Sequence, residues 1–160
     1  MSRFSAPIIE RGELEQACQD WRDSGETIVF TNGCFDILHV GHLQTLTAAR
    51  SEGSKLLVGL NSDRSVRALK GPTRPINAEA DRAQILASLR CVDAVTIFDE
   101  DTPIEALDLI RPHIHVKGGD YKVEDLSEAD VVKKHGGRIV IVGLVPGHST
   151  TSTIEKTRSK

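Results

Sequence analysis

Two histidines, His39 and His42, stand three positions apart after an apolar run at residues 28–31 and a glycine turn. If a helix begins between them, both imidazoles lie at its start on one face. A helix N-terminus also presents free backbone N–H groups and the positive end of the helix dipole. Two imidazoles at such a terminus suit phosphate oxygens. The pattern therefore predicts a site for a nucleoside triphosphate.

Other chemistries are open to this pair. Histidines at this spacing also occur as surface or capping residues, and two imidazoles can share a metal cation, for which Asp36 is the nearest further ligand. Gly41, between the histidines, allows a ligand to approach the backbone closely. Imidazole N–H groups stabilise the charge that develops on a leaving pyrophosphate. The strand, glycine turn and helix order favours phosphate contacts over the alternatives.

Composition restricts the class of protein. The chain has 160 residues, one domain by length, and a net charge of −3, which gives no general attraction for nucleic acid or anionic lipid. The 3 cysteines form no metal-binding spacing and indicate a reducing, cytoplasmic setting. We find no apolar leader and no apolar run of membrane length. The expectation is a cytoplasmic protein without nucleic-acid or membrane partners.

Short apolar runs alternate with amphipathic segments along the chain. We predict strands at residues 28–31, 55–60, 94–98, 114–117 and 138–144, since buried parallel strands lack polar alternation. Helices are predicted at 13–24, 41–52, 65–70, 80–89, from a capping box at 102–105 to before Pro112, at 126–135 and from 149 onward. This order predicts an α/β, three-layer, doubly wound Rossmann-like domain with a five-stranded parallel sheet. A helical extension, residues 1–25, would precede a core at 26–158.

Polar clusters follow several of the predicted strands. They occupy residues 31–42, 61–63, 117–120 and 147–151. In doubly wound domains, ligands bind at the carboxyl ends of the strands, near the point where the strand order reverses. We therefore expect these four segments to converge on one edge of the sheet.

The motif Gly33-x-Phe35-Asp36-x-x-His39-x-Gly41-His42 resembles the signature of the HxGH nucleotidyltransferase superfamily, which includes the cytidylyltransferases. Further segments, at residues 58–63, 65–71, 74–77, 116–121 and 149–151, resemble the heptose 1-phosphate adenylyltransferases. In many bacteria that activity is the C-terminal domain of a bifunctional ADP-heptose synthase. The resemblance covers residues 25–158. It implies transfer of AMP from ATP to a heptose 1-phosphate, Mg²⁺ bound with ATP, and a homodimer of stand-alone domains.

The resemblance also implies roles for particular residues. Catalysis would fall to His39, His42 and Lys70, and Asp36 would be a candidate metal contact. The acceptor would contact Asn61, Asp63 and Arg74. Nucleotide contacts would come from the loop after the first strand, the helix starts and the turn after the fourth strand: Thr31, Asn32, Gly33, Cys34, Phe35, Gly41, Arg82, Asp120, Ser149, Thr150 and Thr151.

Each of these residue types has a structural alternative. A loop lysine such as Lys70 is often a solvated surface charge, and Arg82 would also suit an exposed helix face. The polar residues at 61–63 and 118–120 also suit simple chain turns, and Asp36 would also order its own loop. Hydroxyl residues such as those at 149–151 are common helix caps. For His148 we expect a surface loop position.

Two other functions remain open. Glycerol 3-phosphate cytidylyltransferases carry Arg-Thr-x-Gly-Ile-Ser-Thr-Thr where this chain has Leu-Val-Pro-Gly-His-Ser-Thr-Thr at 144–151. The missing arginine argues against a CTP-dependent enzyme acting on a polyol phosphate. A non-catalytic nucleotide-binding module is the third possibility, and the intact histidines and Lys70 argue against it.

Overall fold

A computed structural model describes residues 4–158. Its strands are β1 (Ile28–Gly33), β2 (Lys55–Asn61), β3 (Ala94–Phe98), β4 (Ile114–Gly118) and β5 (Arg138–Val142). Its helices are α1 (Arg11–Asp23), α2 (Val40–Ser51), α3 (Asp63–Lys70), α4 (Glu79–Ala87), α5 (Ile104–Ile110), α6 (Ala129–Lys134) and α7 (Thr150–Arg158). A 3-10 turn, Val123–Asp125, precedes α6.

The strands form one five-stranded sheet in the order β3-β2-β1-β4-β5, and every pairing is parallel. The predicted fold class is therefore confirmed. The chain runs outward from β1 to β3 and then returns to the other side of β1 to form β4. The order thus reverses between β1 and β4, where doubly wound folds open a crevice for ligands.

Alternation along the strands divides the core between two faces of the sheet. Val29 packs on one face among residues of α2 and α4, while Ile28 and Phe30 pack on the other among residues of α1, α5 and α6. This period of two is what a sheet covered on both sides requires. Leu14 and Cys18 of α1 are buried in the second cluster, so this helix, predicted as part of an extension, packs against the sheet.

Most boundaries lie within a few residues of the prediction, and two expectations were wrong. The capping box at 102–105 does not form: α5 begins at Ile104, with Pro103 at the cap position and no side-chain cap hydrogen bond. The later start leaves Glu105 too close to the cap to bond back to it. The helix predicted at 126–135 is shorter, Ala129–Lys134, because the backbone of Leu126, after the 3-10 turn, is extended.

Candidate active site

A cavity of about 630 Å³ opens at the carboxyl edge of the sheet, over the crevice between β1 and β4. The four predicted polar segments contribute unequally to its walls. Segment 31–42 contributes most of its residues, whereas 61–63 contributes only Asn61 and 117–120 only Lys117 and Gly118. Residues 148–151 line the far side. The predicted convergence on one edge is therefore found, with exceptions described below.

His39 is the N-cap residue of α2. Its Nδ1 accepts a hydrogen bond from the Gly41 backbone N–H at 3.1 Å, which satisfies one of the free donors at the helix start. An imidazole nitrogen that accepts cannot carry a proton, so in the neutral ring the proton is on Nε2. His39 therefore offers an Nε2–H donor.

His42 stacks on His39, with ring centroids 3.8 Å apart and an interplanar angle of 22°. Burial, together with the neighbouring His39, lowers the pKa of His42 to about 4, so this ring is neutral at physiological pH. The Nδ1 atom of His42 is buried and has no hydrogen-bond partner among residues 4–158. Buried polar atoms are normally paired, so this atom suits a bound ligand.

Two glycines let the aromatic rings of this turn lie close to the backbone. A Cβ on Gly41 would lie 3.0 Å from two ring atoms of His39, and a Cβ on Gly33 would lie 3.0 Å from the ring of Phe35. Phe35 has a positive φ of 43° and packs edge-on against His42, with centroids 5.2 Å apart. Gly41 therefore allows the His39 ring to lie over the helix start, and Gly33 allows the Phe35 ring to pack against His42.

The loop beneath this pair lines the floor of the cavity. The Thr31 hydroxyl donates to the Val116 carbonyl oxygen at 2.8 Å, which joins β1 to β4. The Oδ1 atom of Asn32 is buried and lacks a hydrogen-bond partner within the described part of the chain. Burial raises the pKa of the Cys34 thiol despite the cationic Lys70 nearby, so the thiol stays protonated. The floor thus contains a second buried polar atom without a partner.

Asp36 holds the loop after α3. It accepts from Arg74 Nε at 2.6 Å and from the backbone N–H groups of Ile76 and Asn77. Burial alone would raise the pKa of Asp36, but these donors outweigh it and lower the pKa, so the carboxylate is ionised. Asp36 therefore fixes the loop that carries Arg74.

Arg82 lies beneath the cavity and does not line it. Its side chain is fully buried and donates to the carbonyl oxygens of Cys34, Asn61 and Asn77. It also donates to Asp63 Oδ1 at 2.8 Å. Because these acceptors occupy the guanidinium, Arg82 holds together the loops that follow β1, β2 and α3. The structure does not bring either Arg82 or Asp63 into the cavity, in contrast to the expected substrate contacts.

Lys70 and Asn61 do line the cavity on the β2 side. Lys70 ends α3 beside Gly71, whose φ of 99° turns the chain away from the helix. Lys70 is exposed and forms no ion pair within residues 4–158, whereas Arg74 is paired with Asp36. Lys70 therefore carries an uncompensated positive charge at this wall.

On the β4 side the sequence reasoning missed part of the wall. Asp120 is exposed and does not line the cavity, because Gly119, with a φ of 139°, turns the chain before it. Lys117, from the predicted segment 117–120, does line the cavity, and so do Tyr121 and Glu128, which were not among the predicted site residues. Glu128 lies between Ser127 and Ala129 near a predicted helix start, and no sequence signal connected it to β4.

The start of α7 closes the remaining side. Ser149 Oγ accepts from the Ser152 N–H at 3.0 Å, which is a helix cap, and the Thr150 hydroxyl donates to the Ile37 carbonyl oxygen at 3.3 Å. Thr151 lines the cavity as well. His148 is exposed as expected, yet it also lines the cavity, with its ring 6.5 Å from that of His39. The α7 start therefore faces the imidazole pair.

A family model described as cytidylyltransferase-like matches residues 30–157. Among curated proteins, the bifunctional protein HldE of Syntrophotalea carbinolica is 51% identical over 96% of this chain and 31% of its own length. HldE of Methylobacillus flagellatus is 53% identical over 88% of the chain and 29% of its own length. The chain thus spans about a third of these relatives.

A solved structure is also similar to this chain. The crystal structure of the lipopolysaccharide core biosynthesis protein from Thermoplasma volcanium GSS1 superposes with a TM-score of 0.61 at 28% identity, over 76% of this chain and 98% of that one. The residues that the family model matches include β1 from Phe30 onward, the imidazole pair and the start of α7. The chain belongs to the cytidylyltransferase-like family.

Proposed function

We propose that this chain transfers AMP from ATP to a heptose 1-phosphate, giving ADP-heptose and pyrophosphate for lipopolysaccharide or another surface glycan. The observation that carries the nucleotidyl-transfer part is the stacked His39–His42 pair at the start of α2. The acceptor rests on the resemblance to heptose 1-phosphate adenylyltransferases and on the similarity to HldE and to the lipopolysaccharide core biosynthesis protein.

The reaction needs no nucleophile from the protein. A phosphate oxygen of the acceptor attacks the α-phosphorus of ATP, a new P–O bond forms, and the bond to the β-phosphate oxygen breaks. Negative charge then grows on the departing pyrophosphate. The Nε2–H of His39, the half-buried ring of His42 and the α2 N-terminus would stabilise this charge, and Lys70 would neutralise it from the β2 side. Arg74 would approach the acceptor phosphate.

Magnesium would enter with the triphosphate. Residues 4–158 contain no group of three His, Cys, Asp or Glu side chains placed to hold a metal. Mg²⁺ usually keeps several waters and binds substrate phosphates with few protein ligands, so this donor set fits an ion held mainly by ATP. Bound there, it supplies charge neutralisation on the phosphates. A direct contact from Asp36 would compete with its bond to Arg74.

A substrate panel tests the proposal. ATP and CTP are each combined with heptose 1-phosphate and with glycerol 3-phosphate, and pyrophosphate release is measured. We expect rapid release only with ATP and heptose 1-phosphate. Release with CTP and glycerol 3-phosphate would favour the cytidylyltransferase alternative, and tight ATP binding without turnover on any acceptor would favour a non-catalytic module.

We also propose a cytoplasmic homodimer that binds neither nucleic acid nor membrane. The net charge of −3 and the 3 free cysteines support this setting. Among the described residues, no helix has the length and apolar character needed to cross a bilayer. Light scattering of the purified chain tests the dimer.

A further inference from the structure

Three charged or titratable residues form a buried cluster beside the cavity. His115 and Lys117 are two positions apart on β4, so they project from the same face of the sheet. Glu128 lies over both: its Oε1 is 2.7 Å from Lys117 Nζ and 3.4 Å from His115 Nε2. The proposed phosphate contacts do not use this cluster.

The two buried residues of the cluster, His115 and Glu128, are held in place by their neighbours. His115 is fully buried, its Nδ1 lies 3.2 Å from the Phe30 carbonyl oxygen, and its ring stacks on Phe30. Glu128 is 3% exposed, and only Lys117, with its side chain 22% exposed, reaches the solvent of the cavity. Although burial would raise the pKa of Glu128, the donors from His115 and Lys117 outweigh it and hold the pKa well below its usual range. The carboxylate is therefore fixed and ionised.

The charge of Lys117 is thus compensated within the cluster, unlike that of Lys70. A phosphate near Lys117 would also face the Glu128 carboxylate at short range, which costs energy. An ammonium whose charge is already neutralised by a buried carboxylate instead presents N–H donors to the cavity, which suits the hydroxyl oxygens of a neutral sugar ring. Tyr121 adds an aromatic surface at this position, with its ring centroid 5.6 Å from Lys117 Nζ.

We propose that Lys117 binds a hydroxyl of a sugar ring and that Glu128, backed by His115, is the positioning residue that aims it. This deepens the proposed function and rests on it. Two sugar rings would be present in the reaction, the ribose of ATP and the ring of the sugar phosphate. They share adjacent hydroxyls, and the experiment separates them.

The test uses Lys117→Met and Glu128→Gln, with Glu124→Gln as the matched control on an exposed site of the same segment. Steady-state kinetics give KM for ATP, KM for the acceptor and kcat for each variant. The same series is run with 2′-deoxy-ATP and 3′-deoxy-ATP. Loss of a hydrogen bond to a charged group predicts a change of at least about tenfold in KM.

If the ribose binds here, the wild-type preference for ATP over a deoxy-ATP falls by about tenfold in both variants. If the acceptor ring binds here, that preference is unchanged and the acceptor KM rises by about tenfold. Lys117→Arg, which keeps the positive charge, should recover part of either effect, and the control should match the wild type. Unchanged KM values and unchanged nucleotide preference in both variants would overturn the proposal.

Two further measurements keep the outcomes distinct. Thermal unfolding identifies any variant that has lost its fold. If Glu128→Gln does not fold, the test rests on Lys117→Met, because the Lys117 side chain is partly exposed. Calorimetry of ATP, deoxy-ATP and the sugar phosphate binding to each variant needs no turnover. A wild-type protein that releases no pyrophosphate would refute the proposed function, while equal affinities across the variants would refute the role of the cluster.

Discussion

At the scale of single residues, the site depends on two neutral imidazoles. His39 accepts from the Gly41 N–H through Nδ1, and His42 has a buried Nδ1 without a partner in residues 4–158. Under the proposed function, both rings would therefore meet the triphosphate as hydrogen-bond groups already held in place. Preorganised donors of this kind act on the transition state because they need no rearrangement when charge develops.

Replacing either histidine should slow the reaction sharply. We expect His39→Ala and His42→Ala each to lower the rate of pyrophosphate release by about a hundredfold or more, the usual effect of removing one preorganised donor. Single-turnover kinetics with saturating ATP would measure it, with thermal unfolding as the check on folding. A folded variant with wild-type turnover would show that the histidine has no catalytic role.

Lys70 gives a second prediction at this scale. It has no ion-pair partner within the described chain, so its charge is free to act on phosphate. Lys70→Ala should lower kcat for pyrophosphate release by about tenfold or more while leaving the melting temperature unchanged. Lys133→Ala, on the exposed side of α6, is the matched control. Equal rates in the two variants would make Lys70 a solvated surface residue.

At the scale of elements, the turn from β1 into α2 places the imidazoles. The ring of His39 folds back over the helix start, where it caps the helix, and it can do so because residue 41 has no side chain. The same side chain thus serves both the helix and the site. A change at residue 41 should therefore affect catalysis and stability to different extents.

We expect Gly41→Ala to lower turnover by about tenfold to a hundredfold with little change in stability. The new Cβ would lie 3.0 Å from the His39 ring and displace it, and small displacements of catalytic groups have effects of that order. Alanine is also the better helix former, which offsets part of the weakened cap. Gly12→Ala in α1, where a Cβ meets nothing within 4 Å, is the control. Kinetics and urea unfolding of both variants test this.

At the scale of the whole molecule, the half-buried, neutral His42 couples stability to pH. Its pKa is about 4 in the folded protein and 6.5 for an unperturbed imidazole, so the unfolded chain binds this proton more strongly. Between pH 6.5 and about 4 the unfolded chain carries more protons, and stability falls as the pH falls. When the pH falls from 7.5 to 4.5, protonation of this one residue in the unfolded chain should lower the free energy of unfolding by about 2 to 3 kcal/mol. Each unit of difference in pKa between the two states corresponds to about 1.4 kcal/mol.

Urea unfolding of the wild type and of His42→Asn at these two pH values isolates the effect. Carboxylates whose pKa is lowered, such as Asp36, also lose their contribution as the pH falls, but they do so in both proteins. The wild type should therefore lose about 2 to 3 kcal/mol more than the variant. An equal loss would show that His42 is already protonated, or exposed, in the folded state.

The sequence predicted the structure best where a local pattern of residues is compatible with one local structure. Apolar runs such as residues 94–98 predicted the strands, and the glycine turn with its two histidines predicted the central site. It was least informative where function depends on long-range contacts. Nothing local shows that Glu128 pairs with Lys117, or that the Arg82 guanidinium is occupied by carbonyl oxygens from distant loops.

Arg82 has a consequence for how the site can diversify. Three of its acceptors are main-chain carbonyl oxygens, at Cys34, Asn61 and Asn77, and every amino acid supplies such an oxygen. The side chains at these three positions can therefore be exchanged while the arginine keeps the loops in register. One buried guanidinium thus gives a stable frame around positions whose side chains can change, so the walls of the cavity could be altered without rebuilding the fold.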